Sequence, residues 1–167
     1  MITPLAGKRV LITGANGFLG MHLVEAIEAR CPATIITPRK REYDLSNQDA
    51  ATAMFKKYMP EVVIHLAAAV GGIGANKENP GKLFYENCAM GLHVIEAARL
   101  RRVQKTVNIG TVCSYPSHTP VPFKEIDLWN GYPEASNAPN GISKRAVMVW
   151  GRLTVNSTGC GLSLFFR

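Results

Sequence analysis

The strongest chemical signal in this chain is a set of three glycines spaced three apart, Gly14, Gly17 and Gly20. They lie in the segment Thr13-Gly14-Ala15-Asn16-Gly17-Phe18-Leu19-Gly20. A glycine in the first position permits a sharp turn, and one in the second lets the backbone approach a diphosphate. A glycine in the third lets a helix pack closely on a strand. A helix that starts in such a segment also offers unpaired N–H groups and a positive partial charge to an anion. The spacing alone would equally suit an ordinary tight turn, so the flanking elements must decide. The rest of the titratable inventory is quieter. Cys31, Cys88, Cys113 and Cys160 are scattered and form no CxxC pair, which argues against a disulfide framework or a structural zinc site. His22 and His93 fall in helical segments and read as packed or surface residues, and no His, Asp and Glu set has metal-ligand spacing.

The elements around the glycines are the ones a phosphate cradle requires. Arg9 to Thr13 is short, apolar, β-branched and bounded by glycine, so it reads as a buried strand. Phe18 to Arg30 follows as a helix, with apolar positions at Leu19, Leu23, Ala26 and Ile27. Strands are predicted again at Thr34 to Thr37, Val62 to Leu66, Thr106 to Ile109 and Leu162 to Phe166. Helices are predicted at about Asn47 to Tyr58, Leu83 to Leu100 and Gly141 to Val155, the second with an acidic first turn and an arginine-rich end. This alternation predicts an α/β fold, a doubly wound parallel sheet covered on both faces, with right-handed crossovers. The long polar and proline-rich stretch from Ser114 to Pro139 follows a strand, where ligands bind in such sheets.

Composition narrows the function classes. At 167 residues, 47% hydrophobic and 19% charged, the chain suits one globular domain, spanning residues 1–167. No apolar run approaches the ~20 residues needed to span a bilayer, and Met1 to Arg9 lacks a signal-peptide pattern. No membrane association and a cytoplasmic location are therefore expected. The formal charge of +7 favours anionic partners in general. The basic clusters, Arg39-Lys40-Arg41 and Arg99 to Lys105, carry no interleaved aromatics, which points to a phosphate-bearing small molecule and away from nucleic acid. Trp129 and Trp150 read as packing residues.

The GxxGxxG spacing resembles the fingerprint of the short-chain dehydrogenase/reductase superfamily, and further landmarks resemble its extended branch, the NAD-dependent epimerase/dehydratases. His65-Leu66-Ala67-Ala68-Ala69 is similar to the segment that lines the cofactor after the third strand. Val70-Gly71-Gly72-Ile73 with Asn79-Pro80 looks specifically like the GDP-L-fucose synthase group, and Asn87 fits the asparagine of the next helix. Ile109 to Pro116, Pro122 to Glu125, Gly131 to Glu134 and Asn137 to Pro139 continue the likeness as far as Lys144. The resemblance implies a Rossmann-type fold, a nicotinamide cofactor and a GDP-sugar substrate, and it leaves room for a homodimer. In this family the end of the second strand selects the cofactor. An acid there would take the ribose hydroxyls of NAD, whereas arginine accommodates the 2′-phosphate of NADP. Thr37-Pro38-Arg39-Lys40-Arg41 has no carboxylate before Glu42, so NADP is expected, with Arg39 as the phosphate contact and NAD as the alternative. Asp44-Leu45 resembles the pair that touches the adenine. The implied cofactor set is thus Gly14, Asn16, Gly17, Phe18, Leu19, Gly20, Arg39, Asp44, Leu45, Leu66, Ala67, Ala68, Asn87 and Lys144.

The family chemistry needs a hydroxyl on the substrate carbonyl and a tyrosine that donates a proton. It also needs a lysine, one helical turn on, that lowers the tyrosine pKa and holds the ribose. By this resemblance Lys144 is the lysine, Thr111 occupies the serine position and Cys113 matches a cysteine proposed as an acid in epimerisation. The tyrosine position is Asn140, which has no proton to give. Tyr115 and Tyr132 are nearby in sequence at the wrong spacing. Family members also continue well beyond the equivalent of Arg167, so the sheet and substrate lobe are expected to be incomplete. The resemblance therefore implies an NADP-dependent nucleotide-sugar epimerase/reductase that converts GDP-4-keto-6-deoxy-mannose to GDP-fucose, with weak or no turnover in this form. The competing readings are a noncatalytic dinucleotide-binding or interaction module and another nucleotide-sugar epimerase/dehydratase.

Overall fold

The computed structural model describes residues 5–30, 33–71, 74, 78–158 and 161–165. Its elements run β1 (Arg9–Thr13), α1 (Phe18–Arg30), β2 (Thr34–Ile36), α2 (Gln48–Tyr58), β3 (Val62–His65), α3 (Pro80–Leu100), β4 (Lys105–Ile109), α4 (Ala138–Thr158) and β5 (Gly161–Phe165). Short 3-10 turns at Val112–Ser114 and Glu125–Trp129 punctuate the long β4–α4 connection.

All strand pairs are parallel, in the order β2-β1-β3-β4-β5. The expected doubly wound α/β sheet follows from the side-chain alternation of β1 and β3. Leu11 and Val63 point to one face and bury against Met54 and Phe55 of α2 and Met90 and Val94 of α3. Val10, Ile12, Val62 and Ile64 point to the other and meet Ile27 of α1. Strands buried on both faces read as unbroken apolar runs, which is why they were legible. The α4 helix packs on α3 so closely that a Cβ on Gly91 would lie 2.5 Å from Val147 Cγ2.

The element ends differ from the sequence expectation in three instructive places. Asn47 caps α2 from outside the helix, its Oδ1 accepting from the N–H groups of Asp49 (2.8 Å) and Ala50 (3.3 Å). The α3 helix starts at Pro80 and not Leu83, because proline's fixed φ and missing N–H suit a first helical position. Its first turn is consequently free of acids, and Glu86 falls in the second turn. The α4 helix starts at Ala138 and not Gly141, with Gly141 N–H bonded to Asn137 C=O at 2.9 Å, so Asn140 sits in its first turn. Cys31, Cys160, Phe166 and the Gly72-Ile73 part of the sequence landmark lie outside the described residues.

Candidate functional site

The chain reverses its direction of travel across the sheet between β1 and β3, so a crevice opens at their carboxyl ends. Gly14 follows β1 directly and takes φ +74°, a left-handed conformation that side chains disfavour. A Cβ there would also stand 2.6 Å from Ala67 N, so glycine is required on two counts. The turn closes through Gly17 N–H to Gly14 C=O at 3.0 Å, and α1 continues through Met21 N–H to Gly17 C=O at 3.0 Å. Gly20 is buried under this turn, where a Cβ would collide with Gly14 O and lie 2.5 Å from Ala15 Cα. The three glycines thus have three separate geometric jobs: the turn at Gly14, an open backbone face at Gly17, and at Gly20 a close contact of α1 with the turn itself, Gly14 and Ala15, in place of the strand contact that the spacing predicts.

This turn borders a cavity of about 410 Å³. Of the expected cofactor residues, Gly14, Asn16 and Gly17 line it from the turn, Arg39, Asp44 and Leu45 from the connection after β2, and Leu66, Ala67 and Ala68 from the segment after β3. Phe18, Leu19, Gly20, Asn87 and Lys144 do not line it. Phe18 is exposed and meets His22 edge-on at 4.9 Å. Asn87 acts one step removed: its Oδ1 accepts from Ala69 N–H (2.8 Å) and its Nδ2 donates to Ala69 C=O (2.9 Å), fixing the wall segment.

Several lining residues were not anticipated as site residues. Met54 and Met90 close the inner end as an apolar floor that also belongs to the core, and Tyr43, Pro38 and Lys40 complete the outer rim. Thr13 lines the cavity while its hydroxyl meets Nδ1 of His65 at 2.7 Å. A register pairing of Thr13 with His65 would have revealed this contact, and sequence gives no register.

The residues expected to be catalytic gather at a second place, beyond β4 and at the start of α4. Thr111 caps the Val112–Ser114 turn, its Oγ1 accepting from Cys113 N–H at 3.2 Å. A Cβ on Gly141 would collide with Cys113 O, so Cys113 lies directly against the first turn of α4 beside Asn140. The Oδ1 of Asn140 is buried and has no hydrogen-bond partner among the described residues. Lys144, one helical turn later, is pulled down to a pKa of about 8 by burial. Its charge is felt at His65, whose pKa is lowered to about 3, first by complete burial and then by the Lys144 ammonium. Of the two tyrosines of the connection, Tyr115 is buried and stacked on Phe123 at 4.8 Å, and Tyr132 is exposed.

Arg145 holds this second region together and was not foreseen. Its Nε donates to Ser114 C=O at 2.6 Å and its Nη1 to Gly131 C=O at 2.9 Å, while its guanidinium lies 5.6 Å from the Trp129 ring centroid. Ser114 Oγ in turn donates to Gly141 C=O at 3.0 Å. Among the described residues there is no group of three or more His, Cys, Asp or Glu that could hold a metal ion, and no helix long and apolar enough to cross a membrane.

A parallel sheet with a glycine turn and a basic rim at its switch point defines an α/β domain of Rossmann type. Residues 10–161 match the NAD dependent epimerase/dehydratase family, and the chain belongs to that family. It is 36% identical over 138 residues to a GDP-L-fucose synthase of Azorhizobium caulinodans, covering 83% of this chain and 44% of that protein. The fold superimposes on a GDP-D-glycero-L-gluco-heptose synthase from Campylobacter jejuni, solved in the presence of NADPH, with TM-score 0.91 and 28% identity over 96% of this chain and 47% of that one. A GDP-L-fucose synthetase from Naegleria fowleri bound to NADP gives TM-score 0.87 and 26% identity, covering 99% of this chain and 51% of that one. The chain therefore spans about half the length of the relatives it matches.

Proposed function

We propose that this chain binds NADP along the Gly14–Gly20 turn and forms the nucleotide-binding part of a nucleotide-sugar epimerase/reductase of the GDP-L-fucose synthase type. The observation that carries the reading is Gly14. Its positive φ and its contact with Ala67 N leave no room for a side chain and keep the backbone open to the cavity. That cradle suits a diphosphate, with Asn16 and Gly17 beside it, the Leu45, Met54 and Met90 floor for a flat base, and Arg39 at the rim for a 2′-phosphate. NAD would fit the same cradle without the rim contact. When bound, the nicotinamide supplies the hydride that reduces a ketone.

The chain's own contribution to that chemistry is uneven. The Thr111 hydroxyl can donate to a substrate carbonyl, and Lys144 can hold a ribose while its charge stabilises a developing alkoxide. Asn140 can orient a carbonyl and cannot protonate it. Loss of a general acid typically costs ~10²–10⁴-fold in rate, so turnover of GDP-4-keto-6-deoxy-mannose is expected to be weak. Asn140 also favours a second reading, a dinucleotide-binding module that no longer catalyses.

Calorimetric titration with NADPH and NADH tests the first claim, and absence of binding to a folded sample would remove it. NADPH oxidation dependent on a GDP-keto-sugar then separates the enzyme from the module.

A further inference from the structure

We infer that Glu42, an exposed acid outside the cavity lining, is a positioning residue for recognition of the cofactor's 2′-phosphate. The inference rests on the cofactor assignment proposed above. After Pro38 the chain makes one closed turn: Glu42 N–H and Tyr43 N–H both bond to Arg39 C=O at 3.0 Å. Glu42 Oε2 reaches back and accepts from Arg39 N–H at 2.9 Å. This back-reaching bond is the acidic half of a capping box, in which a side chain three residues on satisfies the N–H at the start of a turn.

The turn matters because of what it carries. Arg39, Lys40 and Tyr43 line the cavity rim from this one turn, and Asp44 follows at once. The far end is already fixed, because Asp44 Oδ1 accepts from Ser46 N–H (3.0 Å) and Ser46 Oγ (2.7 Å), and Tyr43 packs edge-on to Tyr58 at 5.9 Å. Glu42 Oε2 closes the near end at Arg39 N–H, adding a side-chain tether to the two backbone bonds on Arg39 C=O and the Lys40–Asp44 ion pair at 4.0 Å. Without it Arg39 N–H loses its partner and the start of the turn loosens, and a guanidinium must be ordered to grip a phosphate with two parallel hydrogen bonds. Glu42 also brings a negative charge close to the same rim. That repulsion acts between exposed groups and is screened by salt, so ordering outweighs it.

NADP⁺ and NAD⁺ differ only in the 2′-phosphate and serve as the probes. The unsubstituted chain, Glu42→Ala and Glu42→Gln are titrated with each by calorimetry at fixed salt. Glu42→Ala should weaken NADP⁺ binding by about 3- to 10-fold, the range expected for losing a cap, and NAD⁺ binding by less than about 2-fold. Glu42→Gln, which keeps an acceptor for Arg39 N–H, should restore NADP⁺ binding to the unsubstituted level or better. Unchanged NADP⁺ binding by Glu42→Ala would overturn the inference, and tighter binding would overturn it and identify Glu42 as a repulsive charge. Glu42→Gln binding as weakly as Glu42→Ala, or equal losses for both probes, would also overturn it. Failure of the unsubstituted chain to bind either probe would overturn the cofactor assignment itself.

Discussion

The Thr13 hydroxyl and the Nδ1 of His65 share a hydrogen bond of 2.7 Å that joins the carboxyl ends of β1 and β3. Ala67 N–H approaches the same hydroxyl oxygen at 3.4 Å, so the pair also ties down the segment that walls the cavity. His65 is fully buried beside the Lys144 charge and is held neutral, its pKa lowered from 6.5 to about 3.

The pH dependence of stability follows from that depression. Between about 3 and 6.5 the unfolded chain binds a proton at this site and the folded chain does not, so stability rises with pH across that window. The stabilisation is complete above pH 6.5 and is lost as pH falls towards 3, at up to about 1.4 kcal/mol per pH unit. Urea denaturation of His65→Gln should show a flatter profile there than the unsubstituted chain. An identical profile would mean that His65 is not the group responsible.

Lys144 gives a second window of the same sign. Its folded pKa of about 8 lies below the ordinary 10.5, so stability should climb from pH 8 to 10.5 as the folded chain loses the buried charge first. Lys144→Met should stabilise the fold at pH 7 by on the order of 1 kcal/mol and remove this climb. Thermal melts at pH 7 and pH 10 compare the two; a less stable Lys144→Met at pH 7 would contradict the assignment.

Gly14→Ala should abolish NADPH binding. The added Cβ meets Ala67 N and the φ of +74° becomes strained, at a cost of about 1–3 kcal/mol. Gly17→Ala is the informative partner. Its Cβ would lie 3.3 Å from Gly14 O alone, a contact relieved by a small shift of that oxygen, so that variant should still fold and yet bind weakly. Normal NADPH affinity in Gly17→Ala would show that the diphosphate does not approach this backbone.

Asn87→Leu should destabilise the chain by about 2 kcal/mol, because the half-buried Ala69 N–H and C=O both lose the partner that buried Asn87 supplies. Since Ala69 also lines the cavity, dinucleotide affinity should fall with it. A loss of stability with unchanged affinity would confine Asn87 to a role in folding.

Asn140→Tyr tests the catalytic deficit. Placed in a chain extended with a substrate lobe from a relative, it should raise ketone-dependent NADPH oxidation by ~10²–10⁴-fold over the same extended chain with Asn140. No gain would favour the noncatalytic reading.

Much of the fold and nearly all of the glycine cradle could be read from the sequence. The apolar runs Val10 to Ile12 and Val62 to Ile64, which lack the alternation of a one-sided strand, encode doubly buried parallel strands. Gly14, Gly17 and Gly20 mark by their spacing a turn in which Gly14 takes a left-handed φ and Gly20 leaves no space for a Cβ, so the turn was legible before any tertiary contact was known. Tertiary structure decided the long-range partners. Thr13 meets His65 across 52 positions, Asn87 meets Ala69 across 18 and Arg145 meets Ser114 across 31. Each of these depends on strand register or helix placement, which local pattern leaves open because a side chain's polarity says that it needs a partner and not which partner it finds. The same reason hid Met54 and Met90, whose apolar spacing marked them for a core without showing that this core would border a cavity.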